Sequence, residues 1–381
     1  MRAIVLGTQS FIDGGTKVGT QYLAQALAGA GWQVDYVPTL SSPMDIVGRQ
    51  RHGRLRRAWA GGGAAHGVAP GLVEWTAKAP FPAHRLFLRF AWQTRWYGCL
   101  LPAQLLRTRY DLCLADVVPN LLVQDRISAR LRICRLNDWP RGFAADLHGV
   151  AMDAQEALLR GPGFDEIWAV SRPLQAYAQS LNAHTPVRYM PNGVEAGLLL
   201  KSPSAEAPAP QRRARSAVYV GGMTAWLDRD LILDAARSMP DWSFDIYGPG
   251  GEPAAGDPPN LAWRGSVSRQ ELARILPTCE VGLIPFRDAD GRMRYVERPL
   301  KFYEYIAAGL GVASTDLGGL RAGMGALACY GNGVQGFVLA MERARQQARA
   351  RPADHARQFV DEHAWEVRAQ AMLEHLKGLL P

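Results

Sequence analysis

The chain has 381 residues, of which 48% are hydrophobic and 20% charged, a composition that excludes intrinsic disorder and makes two domains the default. Its formal net charge of +8 is carried almost wholly by arginine, so a lysine inside a candidate site carries more information than an arginine. Five scattered cysteines without a CxxC spacing argue against a disulfide framework and a zinc site, and they favour a reducing cytosol.

The first half of the chain alternates short apolar segments with helical ones. Ala3–Gly7 is predicted to be a buried strand, Val18–Ala28 a helix that ends at Gly29, and Trp32–Pro38 a second strand. Helical stretches separate the further predicted strands, which are Asp111–Asp116, Leu131–Leu136, Glu166–Val170 and Val187–Met190. This alternation predicts a parallel sheet with helices on both faces.

The second half repeats the alternation. The predicted strands are Ser216–Val220, Ser243–Tyr247 and Val281–Pro285, and the predicted helices between them are Asp230–Ser238 and Arg269–Leu276. A last helix is expected from Pro299 to Gly309, because proline suits a helix start and glycine suits its end. A short strand, Gly-Val-Ala-Ser-Thr, follows it.

These elements predict an α/β protein with two doubly wound, Rossmann-like domains. We expect an N-terminal, acceptor-binding domain over residues 1–196, a Pro/Ala-rich linker over 197–215, and a C-terminal, donor-binding domain over 216–351. Residues 352–381 are expected to form terminal helices that pack on a domain surface, that of the N-terminal domain being one candidate. Ligands of open parallel sheets bind beyond the carboxyl ends of the strands, so two facing domains would form a cleft.

The predicted helix at Pro299 carries the most specific chemical signal. Lys301 falls in its first turn, where the helix dipole disfavours a cation unless an anion such as a phosphate is bound there. Glu304 lies one turn further and could accept hydrogen bonds from the two hydroxyls of a ribose. A nucleoside diphosphate fits this spacing. The alternative is a capped amphipathic helix with a solvated Lys/Glu pair.

Two glycine-containing loops follow the first strands of the two halves. Gly222 ends a strand where backbone could approach a ligand closely, although a tight turn explains it equally well. Gly14 and Gly15, with Lys17, could hold the phosphate of an acceptor or merely open the following helix. The loop of Gly14, Gly15 and Lys17 matches neither the dinucleotide fingerprint nor a Walker sequence, which argues against a site for NAD or ATP.

Several short motifs along most of the chain resemble the GT-B class of glycosyltransferases, and most closely the bacterial membrane-associated glucuronosyltransferase of xanthan assembly, glycosyltransferase family 70. The motifs are Arg135-Leu-Asn-Asp138, Ala169-Val-Ser171, Asn192-Gly-Val-Glu195, Val218-Tyr-Val-Gly-Gly-Met223, Gly282-Leu-Ile-Pro-Phe286 and Pro299-Leu-Lys-Phe-Tyr-Glu-Tyr-Ile-Ala-Ala-Gly309. The resemblance implies a GT-B fold and a nucleotide-sugar donor, with UDP the nucleotide that a lysine beside the diphosphate fits.

The resemblance also implies site residues. Asp138 matches the catalytic base of the family, and its position after a strand suits that role, although an aspartate before Pro140 also suits a turn cap. The residues matched to the donor site are Met223, Phe286, Arg298, Leu300, Lys301 and Glu304. The chain departs from the family at Arg298-Pro299, where the family has small hydroxyl residues, and at Ser266, where it has a glutamate.

The function expected from these residues is an inverting, metal-independent transfer of a sugar, such as glucuronic acid, from a UDP-sugar to a lipid-linked or oligosaccharide acceptor of polysaccharide biosynthesis. No cofactor is expected, because no DxD pair follows a strand and Asp116 stands alone. Two alternatives stay open. A retaining GT-B enzyme would use Glu297 with Glu304, and a non-catalytic subunit would bind the nucleotide sugar without transfer.

A basic and aromatic region in the first half predicts contact with anionic lipids. It contains the run Arg49–Arg57, then aromatic residues from Trp75 to Tyr97 interleaved with arginines. Nucleic acid is the rival partner, but no nucleic-acid motif is present, and core aromatics with solvated arginines are a further alternative. With no secretory signal and no apolar run of about eighteen residues, we expect a cytoplasmic protein, peripheral on the inner face of the cytoplasmic membrane.

Overall fold

The computed structural model describes residues 1–13, 17–44, 63–117, 119–143, 147–196, 211–288 and 290–380. The chain divides into two compact units. Unit 1 consists of Met1–Pro191 with Ala369–Pro381, and unit 2 of Asn192–Arg368. The division therefore falls after Pro191, whereas the sequence placed it after residue 196. Most of the predicted linker, residues 197–210, lies outside the described part of the chain.

Unit 1 is built on an eight-stranded sheet in the order β3-β4-β2-β1-β5-β6-β7-β8. Neighbouring strands are parallel except β3 and β4, which form an antiparallel pair at one edge. The strands are β1 Arg2–Leu6, β2 Gln33–Val37, β3 Ala65–Ala69, β4 Leu72–Trp75, β5 Arg109–Asp116, β6 Ser128–Leu136, β7 Glu166–Ala169 and β8 Val187–Tyr189.

Helices connect the strands of unit 1, as parallel neighbours require. They are α1 Gly19–Gly29, α2 Ala91–Trp96, α3 Ala103–Arg107, α4 Gly149–Arg160 and α5 Arg172–Leu181, with short 3₁₀ segments at Asn120–Arg126 and Pro140–Phe143. Apolar residues fill both faces of the sheet, and Ala3, Ile4, Val5 and Leu6 of β1 are completely buried.

Unit 2 contains a six-stranded, wholly parallel sheet in the order β11-β10-β9-β12-β13-β14. Numbered within the unit, this order is 3-2-1-4-5-6, the arrangement of the Rossmann fold, and its direction reverses between β9 and β12. The strands are β9 Ser216–Val220, β10 Ser243–Tyr247, β11 Leu261–Gly265, β12 Val281–Ile284, β13 Gly311–Ser314 and β14 Cys329–Tyr330.

The helices of unit 2 are α6 Arg229–Ser238, α7 Arg269–Ile275, α8 Leu300–Ala307, α9 Gly318–Met324, α10 Gly333–Ala350 and α11 His355–His363, with 3₁₀ segments at Leu276–Thr278, Arg292–Tyr295 and Gly325–Leu327. The last helix, α12 Trp365–Leu379, carries the chain back into unit 1. There His375 lies 2.8 Å from the Glu166 carboxylate, which also accepts a hydrogen bond from the Trp168 indole N–H.

Helix α8 confirms the predicted helix with small corrections. Pro299 is the N-cap and not the first helical residue. At the other end Gly309 has a φ of 76°, and its N–H and that of Leu310 donate to the carbonyls of Ile306 and Tyr305, which is a Schellman motif. Tyr305 is completely buried.

Most predicted strands agree with the structure to within a few residues, and the two-domain parallel α/β architecture is confirmed. The sequence missed the β3–β4 hairpin and the strands β11 and β14. All of these lie at or next to sheet edges, where a strand is short and one side needs no partner. Among the residues that the structure describes, none of the helices combines the length and apolar character needed to cross a membrane.

Candidate functional site

The reversal point of the unit 2 sheet gathers the residues predicted to bind a nucleotide. Gly222 and Met223 follow β9, Phe286 follows β12, and Lys301 is the second residue of α8. In open parallel sheets the carboxyl-end crevice at such a point is the usual ligand site. The sheet topology, rather than sequence proximity, brings these residues together.

The ammonium group of Lys301 lies in an aromatic cage. Nζ donates a hydrogen bond to the Tyr219 hydroxyl at 3.1 Å and lies 4.3 Å from the centroid of the Tyr219 ring and 4.6 Å from that of Phe286. Gly221, at a φ of 151°, closes the cage, because a Cβ there would lie only 2.9 Å from Nζ. A larger residue at this position would push the ammonium aside.

Burial lowers the pKa of Lys301 to about 7, because the cage removes water from the ammonium while Glu304 only partly compensates. A half-charged lysine in the first turn of a helix is unfavourable twice over, by desolvation and by the helix dipole. An anion bound at the same place would relieve both costs and return the group to its charged form. The prediction that an anion binds beside Lys301 agrees with this geometry.

Phe286 and Met223, both predicted to contact the donor, are each held in place by backbone hydrogen bonds. Phe286 is 4% exposed, and its backbone is held by Thr315, whose hydroxyl accepts from the Phe286 N–H and donates to its carbonyl. Its ring forms a wall of the lysine cage. The Met223 N–H donates a hydrogen bond to the Pro249 carbonyl at 3.1 Å. The Met223 side chain lies against Gly250 and Gly251, which follow Pro249 in the sequence.

Two further predicted residues lie at the start of α8. Arg298 is half-buried and donates from Nε to the Gly323 carbonyl at 2.6 Å, so α9 fixes the direction of its side chain. Leu300 is the first residue of α8 and half-buried. Glu297, the second carboxylate of the retaining alternative, is 7% exposed and packs against Gly323.

Glu304 forms an ion pair with Arg269, which was not among the residues predicted for the site. Nη1 of Arg269 lies 2.5 Å from its Oε1, and Nη2 of the same guanidinium lies 3.1 Å from Oε2 of Glu195. The Glu304 side chain is 13% exposed, so this pairing is largely shielded from water. The carboxylate predicted to bind ribose is therefore oriented before any nucleotide arrives.

In unit 1, Asp138 lies just beyond the carboxyl end of β6 and is half-buried. Its Oδ1 accepts a hydrogen bond from the Trp139 N–H at 2.9 Å, the contact expected of a residue that starts a turn. Lys17 lies with Nζ 3.8 Å from the centroid of the Tyr22 ring. Gly14 and Gly15 lie outside the described residues.

Asp116, which the sequence left without a partner, ends β5 in a buried polar cluster. It is completely buried, accepts a hydrogen bond from Thr20 and lies 3.4 Å from Nη1 of Arg135. Burial raises the pKa of Asp116, while the Arg135 guanidinium lowers it. This cluster joins β5, β6 and α1. In the described ranges no three His, Cys, Asp or Glu side chains come together as metal ligands could.

Comparison with solved structures identifies the fold. Sucrose-phosphate synthase from Thermosynechococcus elongatus matches with a TM-score of 0.72 over 100% of this chain and 99% of that one, at 16% identity. Alr3699/HepE from Anabaena, in complex with UDP and glucose, matches with a TM-score of 0.63 over 99% of both chains, at 12% identity. AviGT4, a glycosyltransferase involved in avilamycin A biosynthesis, matches with a TM-score of 0.58 at 14% identity, over 100% of this chain and 98% of its own. The chain has the GT-B fold.

One curated relative is similar in sequence to this chain over part of its length. Teichuronic acid biosynthesis glycosyltransferase TuaH of Bacillus subtilis (strain 168) is 30% identical over 145 residues. The match spans 34% of this chain and 34% of the Bacillus protein, so it covers about a third of each. No protein-family model matches the chain.

Within the GT-B fold, two site residues of unit 2 escaped the sequence analysis. Tyr219 was part of a noted motif, but its hydroxyl and ring become relevant only when β9 lies beside α8. Arg269 carried a usable signal. It is the first residue of α7, between Ser268 and Glu271 of a capping box, and a cation in that position is unfavourable unless carboxylates face it.

Proposed function

We propose that the chain is a glycosyltransferase that transfers a sugar from a UDP-sugar in polysaccharide biosynthesis. The observation that carries this proposal is the caged ammonium of Lys301 at the reversal point of a Rossmann-like sheet, one helical turn from the oriented Glu304. The GT-B fold, the UDP held by Alr3699/HepE and the partial likeness to TuaH support it.

Transfer of a sugar requires positive charge at the departing diphosphate and a base for the acceptor hydroxyl. Lys301, Arg298 and the N-terminus of α8 supply the charge, and we propose that no divalent metal is needed. Asp138 is the proposed base, which makes the reaction inverting. By resemblance to family 70, glucuronic acid is the proposed sugar. A retaining reaction is the alternative, and the anomeric configuration of the product distinguishes the two.

Thermal-shift measurements with UDP, GDP, ADP and dTDP test the donor assignment. We expect UDP to raise the melting temperature most, because a ligand that binds the folded state stabilises it by an amount that grows with the logarithm of its affinity. In Lys301→Ala the shift by UDP should disappear. An equal response to GDP would contradict the UDP assignment, and no response to any nucleotide would contradict the proposed function itself.

We propose further that the acceptor is lipid-linked and that unit 1 contacts an anionic membrane through helix α2 and its flanks. Five of the residues exposed there are large and hydrophobic, and exposed arginines lie among them, whereas Gln93 and Thr94 of the same helix are buried. These five are Leu86, Phe90, Trp92, Trp96 and Leu100, all at least 47% exposed. A surface helix usually buries its apolar residues and exposes its polar ones, so the arrangement in α2 is the reverse.

The charge around this surface favours anionic lipid over a second copy of the chain. Residues 75–110 contain no aspartate or glutamate, and their cations are Lys78, Arg85, Arg89, Arg95, Arg107 and Arg109. Two such surfaces would repel each other, while lipid headgroups would neutralise them. Trp75, Leu88 and Tyr97 are buried, so the part of the aromatic run that includes them is core. The basic run Arg49–Arg57 lies outside the described residues.

Co-sedimentation with vesicles tests the membrane contact. We expect binding to phosphatidylcholine vesicles that contain phosphatidylglycerol, and about 30-fold weaker binding for the double variant Trp92→Ala, Trp96→Ala, because each interfacial tryptophan contributes roughly 1 kcal/mol. Leu339→Ala, which removes a residue that is 56% exposed in unit 2, is the matched control and should bind as the wild type does. Equal binding of all three proteins would contradict the assignment of this surface.

A further inference from the structure

The two places where the chain passes between the units are joined inside unit 2. The chain enters unit 2 at Asn192 and leaves it after Arg368. Just inside these points, the Val194 N–H donates to the His363 carbonyl and the Trp365 N–H donates to the Val194 carbonyl, both at 2.9 Å. The segments 192–196 and 363–368 therefore share a parallel backbone bridge.

This bridge is connected to the proposed nucleotide site through one guanidinium. Glu195, next to the bridged Val194, lies 3.1 Å from Nη2 of Arg269, and Nη1 of Arg269 lies 2.5 Å from Glu304. The three side chains are 28%, 24% and 13% exposed, respectively. Such a partly shielded array of charge-assisted hydrogen bonds is stronger and more directional than a surface ion pair.

The arrangement has a cost that local stability does not explain. Arg269 is a cation at the N-terminal end of α7, where the helix dipole opposes it. Glu195 and Glu304 would repel each other without the guanidinium between them. A neutral hydrogen-bond donor would orient the Glu304 carboxylate equally well. The two-sided contact of Arg269 therefore points to a link between Glu304 and Glu195.

We propose that Arg269 is a positioning residue that couples occupancy of the nucleotide site to the bridged segments at the passages between the units. It holds the Glu304 carboxylate in position to accept hydrogen bonds from the two ribose hydroxyls. When the ribose hydroxyls donate to the Glu304 carboxylate, the Arg269 guanidinium shifts or is held more firmly. Glu195, which contacts the same guanidinium, transmits this change to its neighbour Val194. The inference rests on the proposed function, because it takes a nucleoside as the ligand of Glu304.

Hydrogen exchange measured by mass spectrometry, with and without saturating UDP, tests the coupling. In the wild type we expect UDP to slow exchange in peptides that cover 192–196 and 363–368. In Arg269→Ala we expect about tenfold weaker UDP binding and, at saturation, no slowing in these peptides. Glu195→Gln is the sharper variant. It should weaken UDP only about two- to threefold, since Glu304 keeps its guanidinium, yet lose most of the slowing.

Two further variants complete the design. Arg269→Lys should restore part of the affinity but not the coupling, because an ammonium cannot fork between two carboxylates as a guanidinium does. Arg237→Ala, which removes an exposed ion pair with Asp234 elsewhere in unit 2, is the control and should leave both readouts unchanged. If Arg269→Ala does not fold, Glu195→Gln and Arg269→Lys carry the test.

The outcomes separate the two proposals. Slowing of exchange by UDP that persists in Glu195→Gln and Arg269→Lys overturns the coupling while leaving UDP binding intact. Absence of slowing in the wild type at saturating UDP overturns it as well. Failure of the wild type to bind UDP at all contradicts the proposed function instead.

Discussion

Replacing Lys301 with methionine is expected to weaken UDP binding by about 100-fold and at the same time to raise the melting temperature of the unliganded protein. Removal of one partner from a shielded pair between a cation and a diphosphate costs roughly 2–5 kcal/mol of binding free energy. The same substitution removes a desolvated ammonium from between Tyr219 and Phe286 and leaves an apolar chain of similar length.

The sign of the stability effect follows from the depressed pKa. The unfolded chain protonates Lys301 below its ordinary value of 10.5, whereas the folded protein protonates it below about 7. The free energy of unfolding of the wild type therefore rises with pH across that interval, and the advantage of Lys301→Met should shrink as pH rises. Calorimetric titration with UDP and thermal denaturation at several pH values check both effects. A variant that binds UDP normally, or that is destabilised at neutral pH, would contradict the cage as the diphosphate site.

Replacing Asp138 with asparagine is expected to lower the rate of sugar transfer by 10²–10⁴-fold, the range typical for loss of a general base. UDP affinity should stay within about twofold of the wild type, because Asp138 lies in unit 1 and the proposed donor residues lie in unit 2. The amide oxygen of asparagine can still accept the hydrogen bond from the Trp139 N–H, so the turn after β6 should persist. A single-turnover assay beside a UDP titration measures the two effects separately.

A matched control exists in the same unit. Asp165 also accepts a hydrogen bond from a backbone N–H, that of Arg132, at 2.7 Å, so Asp165→Asn makes the same chemical change at a turn without a proposed catalytic role. Its transfer rate should equal that of the wild type. If Asp138→Asn transfers sugar as fast as Asp165→Asn, then Asp138 is a turn cap and the inverting assignment fails with it.

The strands of the parallel sheets could be predicted because their sequences are buried on both faces and read as continuous apolar runs. Residues 216–220 and 243–247 were predicted with the bounds that the structure gives. The edge strands could not be found in the same way. Strand β3 alternates exposed and half-buried positions and contains small residues and a glycine, and β14 is only two residues long.

The candidate site, too, could be predicted only in part from the sequence. Lys301 and Glu304 could be placed from one short segment, because their spacing along a single helix fixes their relative positions. Tyr219 and Arg269 depend on the packing of β9 and α7 beside α8, and that packing joins residues distant in the sequence. The lowered pKa of Lys301 likewise comes from its cage and not from the local sequence.

The most direct test of the Lys301 site is calorimetric titration of the wild type with UDP at pH 7.5 and pH 8.5, in buffers of different ionisation enthalpy. If the ammonium binds the diphosphate, UDP affinity should fall about eightfold over this interval and binding at pH 7.5 should take up about 0.8 proton, because a group with a pKa near 7 must be recharged. Tyr219 stays neutral throughout, because burial raises the pKa of its hydroxyl. Lys301→Arg, whose charge does not titrate, should take up none. Wild-type affinity that does not change with pH, with no proton uptake, would contradict the account.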